Sequence, residues 1–482
     1  MSLTTRTDDG WATTRFVVLG FGTAGYACAD SLLQAGAGFV TVLDDRDTEA
    51  LREKAQILQT LGATIKLGPG STAELPENVD VVVTSPGIPP HAPLLAAAAD
   101  RDIPIWSEIE LAWRLRDPAN AAPWLCVTGT NGKTTTVQML TAILRAAGHR
   151  AVAAGNVGLP LLEAVMDPEP YDVIAVELSS YQLHFTHSMS AHSAAVLNVA
   201  PDHLDWHGSL DAYTLDKGRV YQNCQVACVY NVADPVTEQL VMDADVVEGC
   251  RAIGFTLGTP AISMVGLVDE LLVDRAFVEQ RASSALELAT LEDVTPAAPH
   301  NVANALAAAA LARAFGVPAT AVRDGLRRFR PDAHRIAHVA DVAGVNYVDD
   351  SKATNPHAAQ ASLLAYDHVV WVAGGQAKGA TFDELVVAVA GRLRGVVLLG
   401  QDKQLIAEAL ARHAPDVPTI TVETADTEPV TIMETVVGEA AKLAQVGDTV
   451  LLAPGCASWD MFANYGARGD AFAEAVRRLG DS

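Results

Sequence analysis

The stretch Gly129-Thr130-Asn131-Gly132-Lys133-Thr134-Thr135 constrains this chain more than any other. The apolar run Trp124 to Val127 precedes it, and the amphipathic stretch Val137 to Ala147 follows. That order predicts strand, glycine turn and helix. Such a turn aims backbone N–H groups and a helix N-terminus at an anion. Lys133 adds a point charge for β- and γ-phosphates, and Thr134 a hydroxyl for Mg2+. The full Walker spacing would need glycine where Val127 stands, so the motif is the shorter Gly-x-x-Gly-Lys-Thr. A plain glycine turn with a surface lysine is the competing reading. Agreement of strand, loop, Lys-Thr and helix in order argues against it.

A second loop of this kind lies upstream. Arg15 to Leu19 reads as a buried strand, Gly20-Phe21-Gly22-Thr23-Ala24-Gly25 follows, and then a helix runs to about Ala35. A strand from Phe39 to Leu43 ends in Asp44-Asp45-Arg46. This is the G-x-G-x-x-G fingerprint with an acidic residue about 20 positions on, suited to a ribose hydroxyl. A NAD-type dehydrogenase is the first reading of the motif alone, and close helix–strand packing through small residues is its plain alternative. A third strand, Val79 to Thr84, ends in Ser85-Pro86-Gly87, at the sheet edge where ligands sit in open α/β folds.

With 482 residues the chain has room for about three domains. Its net charge of −25 argues against a nucleic-acid or acidic-membrane partner gripped by a broad basic face. Anionic ligands must then be held by local lysines, arginines, helix N-termini and metal ions. The start, Met1 to Gly10, shows no signal-peptide core, and no apolar run nears the roughly 20 residues needed to span a bilayer. A cytoplasmic location is expected. Cys28, Cys126, Cys224, Cys228, Cys250 and Cys456 are scattered without a CxxC pair, so reduced, packed thiols are expected rather than a zinc or disulfide framework.

The segments divide at composition breaks. A helix around Ser107 to Leu115 runs into the linker Asp117 to Pro123. Beyond the phosphate loop, strands are expected at Asp172 to Glu177, Ser193 to Asn198 and Gln225 to Tyr230. Short β pieces from Gly254 to Leu288 read as a side sheet, and helices follow at Asn301 to Phe315 and Ala319 to Phe329. After Arg330-Pro331-Asp332 comes a hairpin, Ile336 to Val339 with Val345 to Val348. Strands follow at His368 to Val372, Gly395 to Leu399, Thr419 to Val422 and Thr449 to Ala453. The expected fold is α/β in three domains. Residues 1–118 form a Rossmann-like domain, 119–330 a central P-loop-type ATPase domain with a mainly parallel sheet, and 331–482 a second Rossmann-like unit.

Candidate residues sit at strand ends. Glu177 can hold Mg2+ directly or through water. Asp202 and His203, after another strand end, could reach the same ions, although a single histidine is more often structural. Lys217 reads first as a solvated lysine. Enclosed near a metal it would be neutral and able to form a carbamate with CO2. Asn301 and Asn304 share a helix face and suit the edge of adenine, or cap the helix. Arg335 suits a γ-phosphate clamp. Asp349-Asp350-Ser351-Lys352-Ala353-Thr354-Asn355-Pro356 sets a charged pair beside hydroxyl and amide groups, and Lys378 in the glycine turn Gly374 to Gly379 suits a carboxylate. Cys456 has no paired histidine and reads as a packed thiol.

Together Gly129 to Thr135, Glu177-Leu178-Ser179-Ser180, Asp202-His203, His300-Asn301 with Asn304, and His334-Arg335 resemble the Mur ligases, the ATP-dependent amino-acid ligases of peptidoglycan synthesis. Asp350 to Asn355, Gly374-Gly375 with Lys378, and Cys456-Ala457-Ser458 with Asp460 and Phe462 are similar to the D-glutamate-adding branch. The Asp-Asn-Pro-Arg motif of the diamino-acid-adding branch is missing. Asp45 and Trp459 depart from the residues usual at those places. The resemblance replaces the NAD reading with UDP for the first domain, and sets aside a folylpolyglutamate synthase, which lacks that domain. A non-catalytic nucleotide switch would not need the lysines of the third segment.

The resemblance implies these roles. Gly129, Thr130, Asn131, Gly132, Lys133, Thr134, Thr135, Asn301, Asn304, Arg335 and Asp350 bind ATP. Lys133, Glu177, His203, Lys217 and Arg335 are catalytic. Thr134 and Glu177 hold one Mg2+, and His203 with carbamylated Lys217 a second. Gly20, Phe21, Gly22, Thr23, Asp44, Asp45, Arg46, Ser85, Pro86, Gly87 and Asn156 take UDP-N-acetylmuramoyl-L-alanine. Lys352, Thr354, Lys378, Ser458 and Tyr465 take D-glutamate. It further implies a cytoplasmic monomer.

Overall fold

The computed structural model describes residues 10–423 and 428–480. Three sheets carry the chain. The first holds β1 (Arg15–Leu19), β2 (Phe39–Asp44), β3 (Thr64–Leu67), β4 (Val81–Thr84) and β5 (Ile105–Trp106), all parallel, in the order β3-β2-β1-β4-β5. The second holds β6 (Trp124–Thr128), β7 (Ala151–Gly155), β8 (Val173–Glu177), β9 (Ser193–Val196), β10 (Ala227–Asn231), β11 (Arg251–Phe255), β12 (Met264–Val268), β13 (Leu271–Asp274) and β14 (Leu286–Thr290). Its order is β14-β13-β12-β11-β10-β9-β6-β8-β7. The third holds β15 (Ala337–Val342), β16 (Val345–Asp349), β17 (Val369–Gly374), β18 (Leu393–Leu399), β19 (Thr419–Thr421) and β20 (Thr449–Leu452), in the order β15-β16-β20-β17-β18-β19. Apolar runs such as β6 and β17 are buried along their whole length. That is the pattern of parallel strands covered on both faces.

Two expectations change. Val81–Thr84 is the fourth strand of its sheet, not the third, because helix Glu49–Thr60 and strand Thr64–Leu67 intervene. The helix buries only Leu51, Ala55 and Leu58, and the short edge strand carries alternating exposed residues, so both signals are faint. The β pieces after Gly254 form no separate side sheet. β11 and β12 extend the central sheet in parallel, and β13 and β14 complete its edge antiparallel. Strand β7, Ala-Val-Ala-Ala-Gly, went unread because its composition favours no strand.

Two compact units divide the chain after Phe329, with Thr295–His300 grouped in the second. The first two sheets share one unit. Buried Glu110 joins them, accepting from the N–H groups of His187 and Ser188 at 2.8 Å each and from Ser188 Oγ at 2.7 Å. Ser107 Oγ meets Thr186 Oγ1 at 2.8 Å. The third sheet forms the second unit. Among the described residues, no helix is long and apolar enough to cross a membrane.

Candidate active site

In each sheet the glycine loops leave the carboxyl ends of strands where the strand order reverses, which is where open α/β sheets bind ligands. The loop after β6 runs into helix Lys133–Ala146, with Gly132 at its N-cap in the left-handed region, φ 86°. A Cβ there would stand 2.4 Å from Asn304 Oδ1, so only glycine fits beside this buried amide. Neighbouring strand ends fix the loop. Thr130 N donates to Asn198 O at 3.0 Å and Asn131 N to Asn198 Oδ1 at 2.9 Å. Thr130 Oγ1 lies 3.0 Å from Tyr213 Oη. Helix N–H groups and the hydroxyls of Thr134 and Thr135 begin the first turn, as an anion site requires.

Two lysines converge on this loop. Lys133 Nζ donates to Gly129 O at 2.9 Å and to Thr130 O at 3.0 Å. Lys217 Nζ donates to the same Gly129 oxygen at 2.8 Å. Lys217 is only 1 % exposed and packs on the Tyr213 ring. Burial first, and then the like charge of Lys133, hold its pKa well below the ordinary lysine value. The sequence alone preferred a solvated lysine. The structure buries it.

Glu177 ends β8 beside the root of the phosphate loop, since β6 and β8 pair at Val127 and Glu177. It is 2 % exposed. Its Oε1 accepts from Asn156 Nδ2 at 2.8 Å, and its Oε2 is buried without a hydrogen-bond partner. An orphaned carboxylate oxygen beside a phosphate loop fits a hard cation, which takes oxygen ligands. His203 opens the short helix Leu204–His207 with φ 54°. Its ring contacts Tyr181, which stacks on His207, and His207 in turn packs edge-on against Tyr213. Asp202 flanks it, with a carboxylate oxygen 3.7 Å from His203 Nδ1. Buried Asp216 accepts from His184 at 2.8 Å and His207 at 3.0 Å, fixing the helix that carries Lys217.

The first glycine loop closes more tightly than its motif suggests. A Cβ on Gly25 would stand 1.9 Å from Gly20 O, so helix and strand meet through glycine alone. Phe21 is fully buried, and its N–H donates to Asp44 Oδ2 at 2.7 Å. Asp44 also accepts from Arg46 N, Nε and Nη2 at 2.7–3.0 Å. Burial alone would raise its pKa, and these bonds from Arg46 and Phe21 lower it. The acidic residue that a dinucleotide reading assigns to ribose is thus engaged in fixing the loop and Arg46. Asp45 accepts from Thr72 Oγ1 at 2.6 Å. Gly22, Thr23, Ser85, Pro86, Gly87 and the Arg46 side chain line the same sheet edge, partly or fully exposed.

In the second unit, the loops after β16, β17 and β20 lie together. Gln376 and Ala457 exchange two backbone hydrogen bonds at 2.9 Å. Lys378 Nζ stands over the Trp459 ring at 4.4 Å, and Lys352 Nζ over Tyr465 at 4.1 Å. Ser458 is buried, Thr354 half-buried. Asp350 is buried. Its carboxylate takes Ile336 N and Ser362 Oγ, and burial pushes its pKa up to about 6. Arg335 lowers that pKa by its charge and is half-buried. Cys456 is buried with its thiol pushed up to about 12, as expected of a packed thiol.

Sequence reasoning missed Arg468. It is 1 % exposed and binds all three loops: Ser351 Oγ and O at 2.9 Å each, Cys456 O at 3.1 Å and Gly374 O at 3.4 Å. Its helix, Tyr465–Gly480, otherwise reads as an ordinary amphipathic one. An arginine on the apolar face of that helix is the one signal that could have found it.

A phosphate loop with an orphaned carboxylate, and a separate unit that groups lysines with aromatic and hydroxyl side chains, define a class of nucleotide-dependent enzyme built on three α/β modules. Three domain descriptions match the sequence. They are "Mur ligase MurD-like, N-terminal domain" over residues 14–107, "Mur ligase middle domain" over 127–312 and "Mur ligase, glutamate ligase domain" over 334–456. The chain belongs to the Mur ligase family. Proteins named UDP-N-acetylmuramoylalanine--D-glutamate ligase are similar along their length. That of Streptomyces avermitilis is 64% identical, covering 98% of this chain and 99% of its own. That of Thermobifida fusca is 55% identical over 96% and 98%, and that of Mycolicibacterium smegmatis 46% over 96% of each. Among solved structures, MurF from Acinetobacter baumannii superposes with a TM-score of 0.57 at 17% identity, covering 92% of this chain and 91% of its own. A pseudomurein peptide ligase type C from Methanothermus fervidus gives 0.56 at 17%, covering 97% and 100%. These two share the fold.

Proposed function

We infer that this protein is an ATP-dependent ligase that adds D-glutamate to UDP-N-acetylmuramoyl-L-alanine in peptidoglycan precursor synthesis. The observation that carries this reading is full-length identity of 64% to a ligase of that name, on a chain whose phosphate loop is intact. The L-alanyl carboxylate attacks the γ-phosphorus of ATP, giving an acyl phosphate and ADP. The D-glutamate amine attacks that carbonyl, and the tetrahedral species expels phosphate as the amine loses a proton. The protein mostly positions groups and offsets charge.

Gly129 to Thr135 cradle the ATP phosphates and Lys133 turns from the loop carbonyls to them, while Asn301 and Asn304 face the base, and Arg335 and Asp350 are further nucleotide-binding residues. Thr134 and Glu177 would hold Mg2+, which when bound supplies positive charge to the phosphate oxygens. His203 and Lys217 would hold a second. The support for Lys217 is its burial beside Lys133, which lowers its pKa and so favours the neutral amine. A neutral amine adds to CO2 and sheds a proton, leaving an anionic carbamate. Gly20 to Thr23, Asp44 to Arg46, Ser85 to Gly87 and Asn156 serve the UDP substrate. Lys352, Thr354, Lys378, Ser458 and Tyr465 serve D-glutamate. We assign residues 1–118, 119–330 and 331–482 to the UDP-substrate, ATP and amino-acid domains of a cytoplasmic monomer that binds neither nucleic acid nor membrane.

The test is phosphate release from ATP in the presence of UDP-N-acetylmuramoyl-L-alanine and a panel of amino acids. Stimulation by D-glutamate alone is expected. Stimulation by another amino acid, or by none, refutes the reading.

A further inference from the structure

Three cysteines that look scattered in the sequence converge in space. Cys224 precedes β10, Cys228 is the second residue of β10, and Cys250 immediately precedes β11. Their sulfurs all lie within 4.8 Å of one another, with Cys228 and Cys250 at 3.8 Å. Among the described residues this is the one such cluster of possible metal ligands.

The backbone fixes this convergence. β10 and β11 pair in parallel from Ala227 and Arg251 onward. The segment between Met242 and Cys250 folds back on the first cysteine, with Asn223 N donating to Asp245 O at 2.8 Å and Val247 N to Cys224 O at 3.0 Å. Asn223 takes φ 54° to make that turn. The cluster lies at the amino-terminal end of the parallel strands. The phosphate loop leaves the carboxyl end of β6, at the opposite edge of the same sheet. The nucleotide site therefore does not explain it.

The geometry suits one kind of ligand. Zinc–thiolate bonds of about 2.3 Å at tetrahedral angles place sulfurs about 3.8 Å apart. The Cys228–Cys250 pair already has that spacing, and the third sulfur needs to close by less than about 1 Å. The Arg251 and Val226 N–H groups donate to Val226 O at 3.0 Å and His192 O at 2.9 Å, which holds the backbone around the sulfurs, and the Cys224 thiol donates to Ala227 O at 3.4 Å. Cys224 and Cys228 are buried, whereas Cys250 is half-exposed and gives the entry path. Hard cations prefer oxygen, so three sulfurs select a soft one.

We propose that Cys224, Cys228 and Cys250 form a three-thiolate site for a thiophilic d10 cation of the Zn2+ type, with water as the fourth ligand on the Cys250 side. Binding displaces the three thiol protons to solvent. The bound cation ties the loop before β10 to β10 and β11 and stabilises this half of the sheet by mass action.

The test uses the reduced full-length chain and Cd2+ as probe, because sulfur-to-cadmium charge transfer absorbs in the near ultraviolet only when thiolates are ligands. One equivalent is expected to produce the band, Zn2+ to abolish it by competition, and Zn2+ to raise the melting temperature. Cys250→Ser is expected to weaken binding at least about 100-fold and remove the Zn2+-dependent melting shift. Being half-exposed, it leaves the core packing intact, and Cys456→Ser is the thiol control. Absence of the band in reduced protein overturns the proposal, as does a band that persists in Cys250→Ser or is lost equally in Cys456→Ser. Binding that needs Cys224 and Cys228 as well, shown by loss of the band in Cys224→Ala and in Cys228→Ala, supports it.

Discussion

Replacing Arg468 by methionine keeps the length and most of the apolar volume of the side chain but removes its fork of donors. Three hydrogen bonds of 3.1 Å or less disappear, two to Ser351 and one to Cys456 O, together with the longer one to Gly374 O. Each buried acceptor left without a donor costs about 1–3 kcal/mol. The variant also no longer has to desolvate a guanidinium, whose pKa burial draws down to about 10, and this offsets part of the loss. A net destabilisation of about 2–4 kcal/mol remains, which lowers Tm by roughly 4–16 °C for a domain of this size. Because the loops after β16, β17 and β20 are held only in part without Arg468, KM for D-glutamate should rise about tenfold or more. KM for the UDP substrate, whose expected ligands lie in the first unit, should stay within about twofold. Steady-state kinetics well below the melting transition measure both, and Arg468→Lys should recover part of the D-glutamate affinity. An unchanged KM for D-glutamate, or an equal rise for the UDP substrate, would show that Arg468 supports the fold and not the amino-acid site.

Lys217→Ala should nearly abolish ligation, and short carboxylates added to the assay should restore part of it; full activity in this variant rejects the carbamate. Gly132→Ala places a Cβ 2.4 Å from Asn304 Oδ1 in a left-handed backbone position, so nucleotide binding, read by ATP titration, should fall by about tenfold or more; unaltered ATP binding would show that the loop can shift to admit the methyl group. Asp350 has its pKa raised from 3.8 to about 6 in the folded protein, so the folded state holds more protons between those values. Its contribution to stability is complete below about 3.8 and is lost as pH rises through about 6, an effect of at most about 3 kcal/mol. Asp350→Asn should therefore be more stable than the parent at pH 7–8 in denaturant titrations and should lose the slope between pH 4 and 6. A slope that survives in the variant places the titration elsewhere.

The strand–loop–helix order at Gly129 to Thr135 was legible because every part of it is local. Strand, turn glycine, lysine and helix lie within about twenty residues, and each has a compositional signature. The same holds for Gly20 to Gly25 and for the hairpin after Pro331. Helix Glu49–Thr60 and strand β3 were harder, since one shows three buried positions and the other sits half-exposed at a sheet edge. The strands after Gly254 were read as strands but given the wrong sheet, because β periodicity says nothing about which strand is the neighbour.

The sequence by itself determined the three α/β segments, their two glycine loops and the chemistry available at each strand end. Tertiary structure alone decided the state of those groups. Lys217 becomes a buried amine because it meets Gly129 from 88 residues away. Arg468 becomes a clamp because it meets Ser351 across 117 residues. Three thiols become a cluster because β10 and β11 pair. Burial and long-range hydrogen bonding set these properties, and neither leaves a periodic mark along the chain. Periodicity records which face of an element is apolar, and packing decides what that face meets.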